Sequence, residues 1–222
     1  MSYQVKEIFY SLQGEGLRAG RPAIFIRFAG CNLWSGREVD RAAAICNFCD
    51  TDFVGTDGTF GGHYRQAGDL ASQAIALWPA HPILSTGTPV NGRPGRPYVV
   101  CTGGEPLLQL DRDLLDALHQ VGFEIAVETN GTIEAPQGID WICVSPKARA
   151  ELRQRRGHEL KLVFPQADYQ LEAFAELEFD HFLLQPLDGT DKAANMQACL
   201  DYCLQHPQWR LSLQTHKWLA IR

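Results

Sequence analysis

Residues 98 to 106, YVVCTGGEP, run from four apolar positions into a threonine, two glycines, a carboxylate and a proline. An apolar run this short, closed by glycine and proline, reads as a buried strand that ends in a tight turn before a helix. The same pattern recurs in both directions along the chain: AIFIRF at 23–28, EIAVE at 124–128, WICV at 141–144, LKLV at 160–163 and FLLQ at 182–185. Between these runs, the stretches 111–121, 169–177 and 191–204 carry apolar residues at helical spacing, with acidic starts suited to helix N-termini. Strands alternating with helices predict an α/β fold on a mainly parallel sheet. With 222 residues, 45% of them hydrophobic, the chain can bury one sizeable core, and a single domain over 1–222 is the simplest organisation.

Two segments interrupt the rhythm. Residues 81–97, HPILSTGTPVNGRPGRP, are too rich in proline and glycine for regular structure and predict a long exposed loop. Residues 32–45 start with a Trp-Ser-Gly turn and continue through REVDRAAAI, which predicts a short helix inserted in a loop. Most of the strands end in a polar cluster: TGGEP, TNG at 129–131, SPK at 145–147 and QPLD at 185–188. In barrels and open α/β sheets, ligands bind where the loops at the carboxyl ends of the strands converge, so these clusters predict one shared site. The glycines of TGGEP can present bare backbone groups to a ligand, although an ordinary turn would also account for them.

The formal charge of −6, without a basic stripe or basic residues alternating with aromatics, argues against nucleic acid as a partner. No basic flank precedes an apolar run at the N-terminus, and no long uninterrupted apolar run occurs, so a cytosolic protein that is not membrane-bound is expected. In that compartment the seven cysteines are not a disulfide framework. Cys31, Cys46 and Cys49 stand in the spacing C-x14-C-x2-C. Three thiolates can hold three irons of a four-iron cluster and leave the fourth open to a ligand. A structural zinc ion, with His63 as the nearest candidate for a fourth ligand, and three unrelated cysteines are the alternatives. Cys101, Cys143, Cys199 and Cys203 read as packing residues. Near the N-terminus, Gln13 and Glu15 in QGEG, with Arg27 and the more distant Glu128, make a donor and acceptor set suited to a flat heterocycle bearing a carboxylate. A solvated surface turn is the bland reading of QGEG, and a structural or exposed role is that of His216.

Together these pieces resemble the 7-carboxy-7-deazaguanine synthase family of the radical S-adenosylmethionine superfamily. The likeness runs nearly end to end, through EIFYSLQGEG, RPAIFIRFAGCNLW, FCDTDF, VVCTGGEPLLQ, VETNGT, WICVSPK, ELKLV, FLLQPLDG and HPQWRLSLQTHK. The long first cysteine gap departs from the superfamily's usual C-x3-C-x2-C but is shared by similar proteins of this family. The resemblance implies a partial, shortened (β/α) barrel with a 4Fe-4S cluster on Cys31, Cys46 and Cys49. It implies that Gly104, Glu105, Ser145, Pro146, Lys147, Gln185, Pro186, Leu187 and Asp188 hold S-adenosylmethionine. A pterin would be surrounded by Leu12, Gln13, Gly14, Glu15, Arg27, Thr102, Glu128, His216 and Arg222, and Thr51 would help to bind Mg2+.

The implied reaction turns 6-carboxy-5,6,7,8-tetrahydropterin into 7-carboxy-7-deazaguanine and ammonia. Hydrogen abstraction at C6 by a 5′-deoxyadenosyl radical is followed by ring contraction, with the protein supplying placement and shielding. A homodimer and an electron donor such as flavodoxin or ferredoxin belong to the same expectation. Two rivals stand beside it. A metal-stabilised module that only binds a nucleobase would have no use for an open three-cysteine site beside TGGEP. An activase that places a glycyl radical on a partner enzyme would carry the short cysteine spacing.

Overall fold

The computed structural model describes residues 2–79, 96–166 and 169–222. The expected loop at 81–97 therefore lies outside the described residues, apart from Arg96 and Pro97. Nine strands form one sheet in the order β3-β1-β2-β4-β5-β6-β7-β8-β9. They are β1 (Tyr3–Leu12), β2 (Pro22–Phe28), β3 (Gly62–Tyr64), β4 (Tyr98–Gly103), β5 (Glu124–Thr129), β6 (Trp141–Val144), β7 (Arg156–Phe164), β8 (Glu178–Pro186) and β9 (Trp209–Leu211). From β2 to β9 every pairing is parallel, while β1 joins β2 and β3 antiparallel, so the sheet is mixed but mostly parallel.

The helices are α1 (Ala67–Ala76), α2 (Arg112–Gln120), α3 (Lys192–Gln205) and α4 (Thr215–Leu219). All six expected strands form, most of them extended by a few residues, and the helices expected at 111–121 and 191–204 form with nearly those bounds. The third expected helix does not: residues 169–177 contain only a short 3-10 turn at Leu171–Phe174. Its apolar residues are used differently, Leu171 being buried against β7 and β8 while Tyr169 and Phe174 meet edge to face at 5.0 Å. The expected insert helix is likewise one 3-10 segment, Glu38–Ala43, with no buried residue to anchor anything longer.

Alternation along the strands explains how the sheet makes a site. One face carries Ile24, Ile26 and Phe28, Val99 and Cys101, and Ile125 and Val127, which pack beneath Leu70 and Ala74 of α1 and Leu114, Leu115 and Leu118 of α2. A second cluster, centred on Leu160, Leu162, Leu184 and Cys199, covers the other end with α3. The opposite face has Ala23, Phe25, Tyr98, Val100 and Ala126 at its base. Continuing toward the strand ends, the same face turns polar at Arg27, Thr102, Glu128 and Lys161. Between β5 and β6 and between β6 and β7 the chain crosses by loops instead of helices, which shortens the α/β repeat.

Asp111 ties one helix to the antiparallel edge, since its carboxylate caps α2 by accepting from the Leu114 N–H at 3.0 Å and also accepts from the Tyr3 hydroxyl at 2.8 Å. Asp111→Ala is expected to cost about 2 kcal/mol, the sum of a lost cap and a lost hydrogen bond, readable as a shift of the urea midpoint. Among the described residues, no helix is long and apolar enough to cross a membrane.

Candidate functional site

The polar half of the inner face opens into a cleft of ≈ 410 Å³. Arg27 enters it from the end of β2, Thr102 and Gly103 from β4, Glu128 and Thr129 from β5, Cys143 from β6, Lys161 and Val163 from β7, and Gln185 and Pro186 from β8. The site thus stands at the carboxyl ends of the parallel strands, as the polar strand ends predicted. The loop after β1 brings Gln13, Gly14 and Glu15 across this face, and α4 brings His216 and Lys217 over it. Thr215 fastens α4 to that loop, its N–H and its hydroxyl each donating to the Gly14 carbonyl at 2.9 Å.

A buried ionic network lies within the cleft. The Lys161 ammonium pairs with Glu15 and stands 3.9 Å from Glu128. Gln13 donates to Glu128 at 2.9 Å, and Gln214 donates to Glu15 at 3.0 Å. Burial acts to raise the Glu15 carboxyl, but Lys161, Gln214 and His216 outweigh it and hold the group down to about 2. For Lys161, burial acts to lower the ammonium, and Glu128, Glu15, Cys143 and Glu159 together drive it well upward. Beneath them, burial raises both Glu159 and Cys143, whose thiol donates to the Glu159 carboxylate at 3.5 Å.

At one end of the cleft the three cysteines line a shared space. Their loop is folded by its own side chains: Trp34 meets Phe53 edge to face at 5.6 Å, and Arg41 covers Trp34 at 4.1 Å while donating to the carbonyls of Asn47 and Cys49 at 3.0 Å. The backbone N–H of Leu33 donates to Cys31 Sγ at 3.4 Å. The Cys46 thiol hydrogen-bonds to Cys49, which lowers Cys49 to about 6 and helps raise Cys46. Burial lowers the Lys147 ammonium, which the neighbouring Cys46 and Cys49 work against. Among the described residues, no three His, Cys, Asp or Glu side chains are gathered so as to hold a metal ion as they stand. The thiols instead border a common space, which suits three ligands spread around a larger inorganic group.

The two glycines of the TGG turn let the backbone press against this loop. A Cβ on Gly103 would stand 2.2 Å from the Phe28 carbonyl oxygen, and one on Gly104 would stand 2.0 Å from the Gly30 carbonyl oxygen and 2.9 Å from Cys31 Cβ. Glu105 is fully buried behind the turn and accepts from the N–H groups of Leu107 and Asn130 and from the Thr129 hydroxyl, at 3.0, 2.8 and 2.8 Å. Asn130 then donates to Asn32 at 2.9 Å, which connects the TNG turn to the residue after Cys31.

Of the residues expected at the site, Gly104, Ser145, Lys147, Gln185, Pro186, Leu187, Asp188, Leu12, Gln13, Gly14, Glu15, Arg27, Thr102, Glu128, His216, Arg222, Thr51 and the three cysteines all line the one cleft. Glu105 and Pro146 do not; both are buried, each next in sequence to a residue that does. His63 lies on the edge strand β3, paired with Gln4, and does not line the cleft that the thiols border. Sequence reasoning passed over Lys161, whose signal was a lysine inside an apolar strand. It also assigned Cys143 to packing, whereas this buried thiol borders the cleft. Lys217 was missed too; it bridges Asp50 at 2.6 Å and Asp188 at 2.7 Å. Arg27 is braced by Glu7 at 2.9 Å, and Arg222 reaches the same carboxylate at 3.3 Å.

The mostly parallel α/β sheet, with its cleft at the strand ends and three thiols at one rim, is the arrangement expected of the radical S-adenosylmethionine class. No family model matches the chain. Full-length relatives do: it is 61% identical to the 7-carboxy-7-deazaguanine synthase of Bordetella pertussis and 62% identical to that of Bradyrhizobium diazoefficiens, each over 100% of both chains. The chain belongs to the 7-carboxy-7-deazaguanine synthase family. The crystal structure of QueE from Escherichia coli shares the fold, with a TM-score of 0.68 at 28% identity, covering 97% of this chain and 95% of that one.

Proposed function

We propose that this cleft converts 6-carboxy-5,6,7,8-tetrahydropterin to 7-carboxy-7-deazaguanine and ammonia, with a 4Fe-4S cluster, S-adenosylmethionine and Mg2+. The observation that carries the reading is that one cleft joins three thiols to a row of Gln13, Glu15, Glu128 and Arg27. When bound, the cluster and S-adenosylmethionine supply a 5′-deoxyadenosyl radical able to take hydrogen from C6 of the substrate.

The chain's own residues place and shield. Cys31, Cys46 and Cys49 would hold the cluster, and Gly104, Ser145, Lys147 and the run Gln185 to Asp188 would hold S-adenosylmethionine, with Glu105 and Pro146 beside them. Glu15, Glu128 and Gln13 accept from the N–H edge of the pterin. The Glu7 pair fixes the Arg27 guanidinium, which can then take the substrate carboxylate through two parallel donors. Leu12, Gly14, Thr102, His216 and Arg222 complete the walls. Thr51, which lines the cleft, would offer an oxygen ligand to Mg2+, a hard cation that takes oxygen donors. The same reading makes the enzyme a single-domain homodimer of the cytosol that draws electrons from a flavodoxin or ferredoxin.

The test is anaerobic reconstitution with iron and sulfide, then incubation with dithionite, S-adenosylmethionine, Mg2+ and the carboxytetrahydropterin. Mass spectrometry is expected to show a deazaguanine carboxylate formed with release of ammonia. Cleavage of S-adenosylmethionine without that product would overturn the substrate, and zinc in place of iron would overturn the chemistry.

A further inference from the structure

The geometry points to Lys161 as the positioning residue of the substrate pocket: its buried ammonium holds Glu15 and Glu128 side by side as charged acceptors for the N–H edge of a pterin. This inference rests on the proposed function and adds a residue that neither the motifs nor the polar strand ends single out.

Lys161 projects from the middle of β7 onto the inner face and is only 4% exposed. Glu15 reaches it from the loop after β1 and Glu128 from the end of β5. Glu159 stands two residues earlier on the same face of β7, Cys143 comes from β6, and Lys147 acts on it from beyond β6. His216 of α4 acts on the Glu15 end of the network. Glu159 is occupied otherwise, accepting from the Leu17 N–H at 3.2 Å and from the Cys143 thiol at 3.5 Å.

Two partly buried carboxylates facing one space repel each other, and without a cation between them proton uptake by the pair is favoured. A protonated carboxyl presents a donor where the ligand also presents donors. The amine of Lys161 removes that conflict, and the wall it holds in place, Gln13, Glu15 and Glu128, can only accept at its carboxylates. That chemistry fits a flat ring edge made of adjacent N–H groups, and it disfavours an edge of carbonyl oxygens.

The test uses the reconstituted enzyme with S-adenosylmethionine and titrates in oxidised 6-carboxypterin, a fluorescent ligand that does not turn over. Affinity is read as the ratio of wild type to variant at each pH, which cancels the ligand's own titration. Lys161→Met is expected to weaken pterin binding about tenfold or more near pH 6, one pK unit of lost charge preference being a factor of ten. The loss should shrink as the pH rises toward about 8, since the proton taken up by the carboxylate pair then leaves. Affinity for S-adenosylmethionine and the melting temperature serve as controls for the rest of the fold.

Lys161→Arg keeps the charge and is expected to show no pH-dependent loss; it also keeps the test decisive if the methionine variant does not fold. A loss that is the same at every pH would mean that Lys161 only packs, and would overturn the inference. So would wild-type affinity in Lys161→Met, or the pH-dependent loss persisting in Lys161→Arg. A wild-type enzyme that binds no pterin would overturn the proposed function and this inference together, so the two failures are distinguishable.

Discussion

Cys46→Ala is expected to leave a folded apo chain that assembles no complete four-iron cluster and turns over at background level. The thiol is buried at 5% exposure and borders the cleft with Cys31 and Cys49. The loop around it does not depend on that sulfur, because Trp34, Phe53 and the Arg41 contacts to the carbonyls of Asn47 and Cys49 define its path. Removing one sulfur from such a site costs on the order of 1 kcal/mol in packing, far less than a domain's stability. Iron and sulfide analysis after reconstitution, beside circular dichroism of the apo form, separates the two effects. A full four-iron signal in the variant would show that Cys46 is not a ligand.

Gly103→Ala should act the other way, on the fold before the chemistry. Gly103 has φ +130°, and an added Cβ would stand 2.2 Å from the oxygen and 2.5 Å from the nitrogen of Phe28, its partner across the β2/β4 register. These are backbone atoms at the paired ends of two interior strands and cannot turn aside as a flexible side chain would. β4 would have to withdraw from β2, at a cost of about 3 kcal/mol or more, part from the dihedral and the rest from the displaced strand. For a chain of this size that lowers the melting temperature by roughly 6 to 12 °C. A melting temperature within a degree of wild type would mean that the β2/β4 junction is far more compliant than its contacts indicate.

The strands that were legible in the sequence are those covered on both faces, because such strands read as unbroken apolar runs. β1 was not among them: YQVKEIFYSL mixes its apolar residues with polar ones, since Val5 and Ile8 face the core while Lys6, Glu7 and Ser11 serve the edge and the cleft. β3 and β9 span three residues each, too few to carry a period. The stretch 169–177 has helical spacing, yet Leu171, Phe174 and Leu177 reach the core from a turn and need no helix to do so. At the site, the cysteines and strand-end clusters were legible because they are local in sequence. Lys161 was not, because its partners lie far away along the chain, and nothing within LKLV says what its charge meets.

The loop between β1 and β2 is also anchored at the base of the inner face. Arg18 lies over Trp141 at 4.1 Å, Arg21 lies over Tyr98 at 3.8 Å, and both pair with Glu124 at 2.6 Å. These contacts seat the loop on Tyr98 and Trp141, at the base of the inner face and apart from the strand ends that carry the cleft. At the cleft, the Lys217 bridge to Asp50 and Asp188 ties α4 to the cysteine loop and to the end of β8. The loop that carries Gln13 and Glu15 is thus clamped from outside the cleft, so its acceptors are held in place before any ligand arrives.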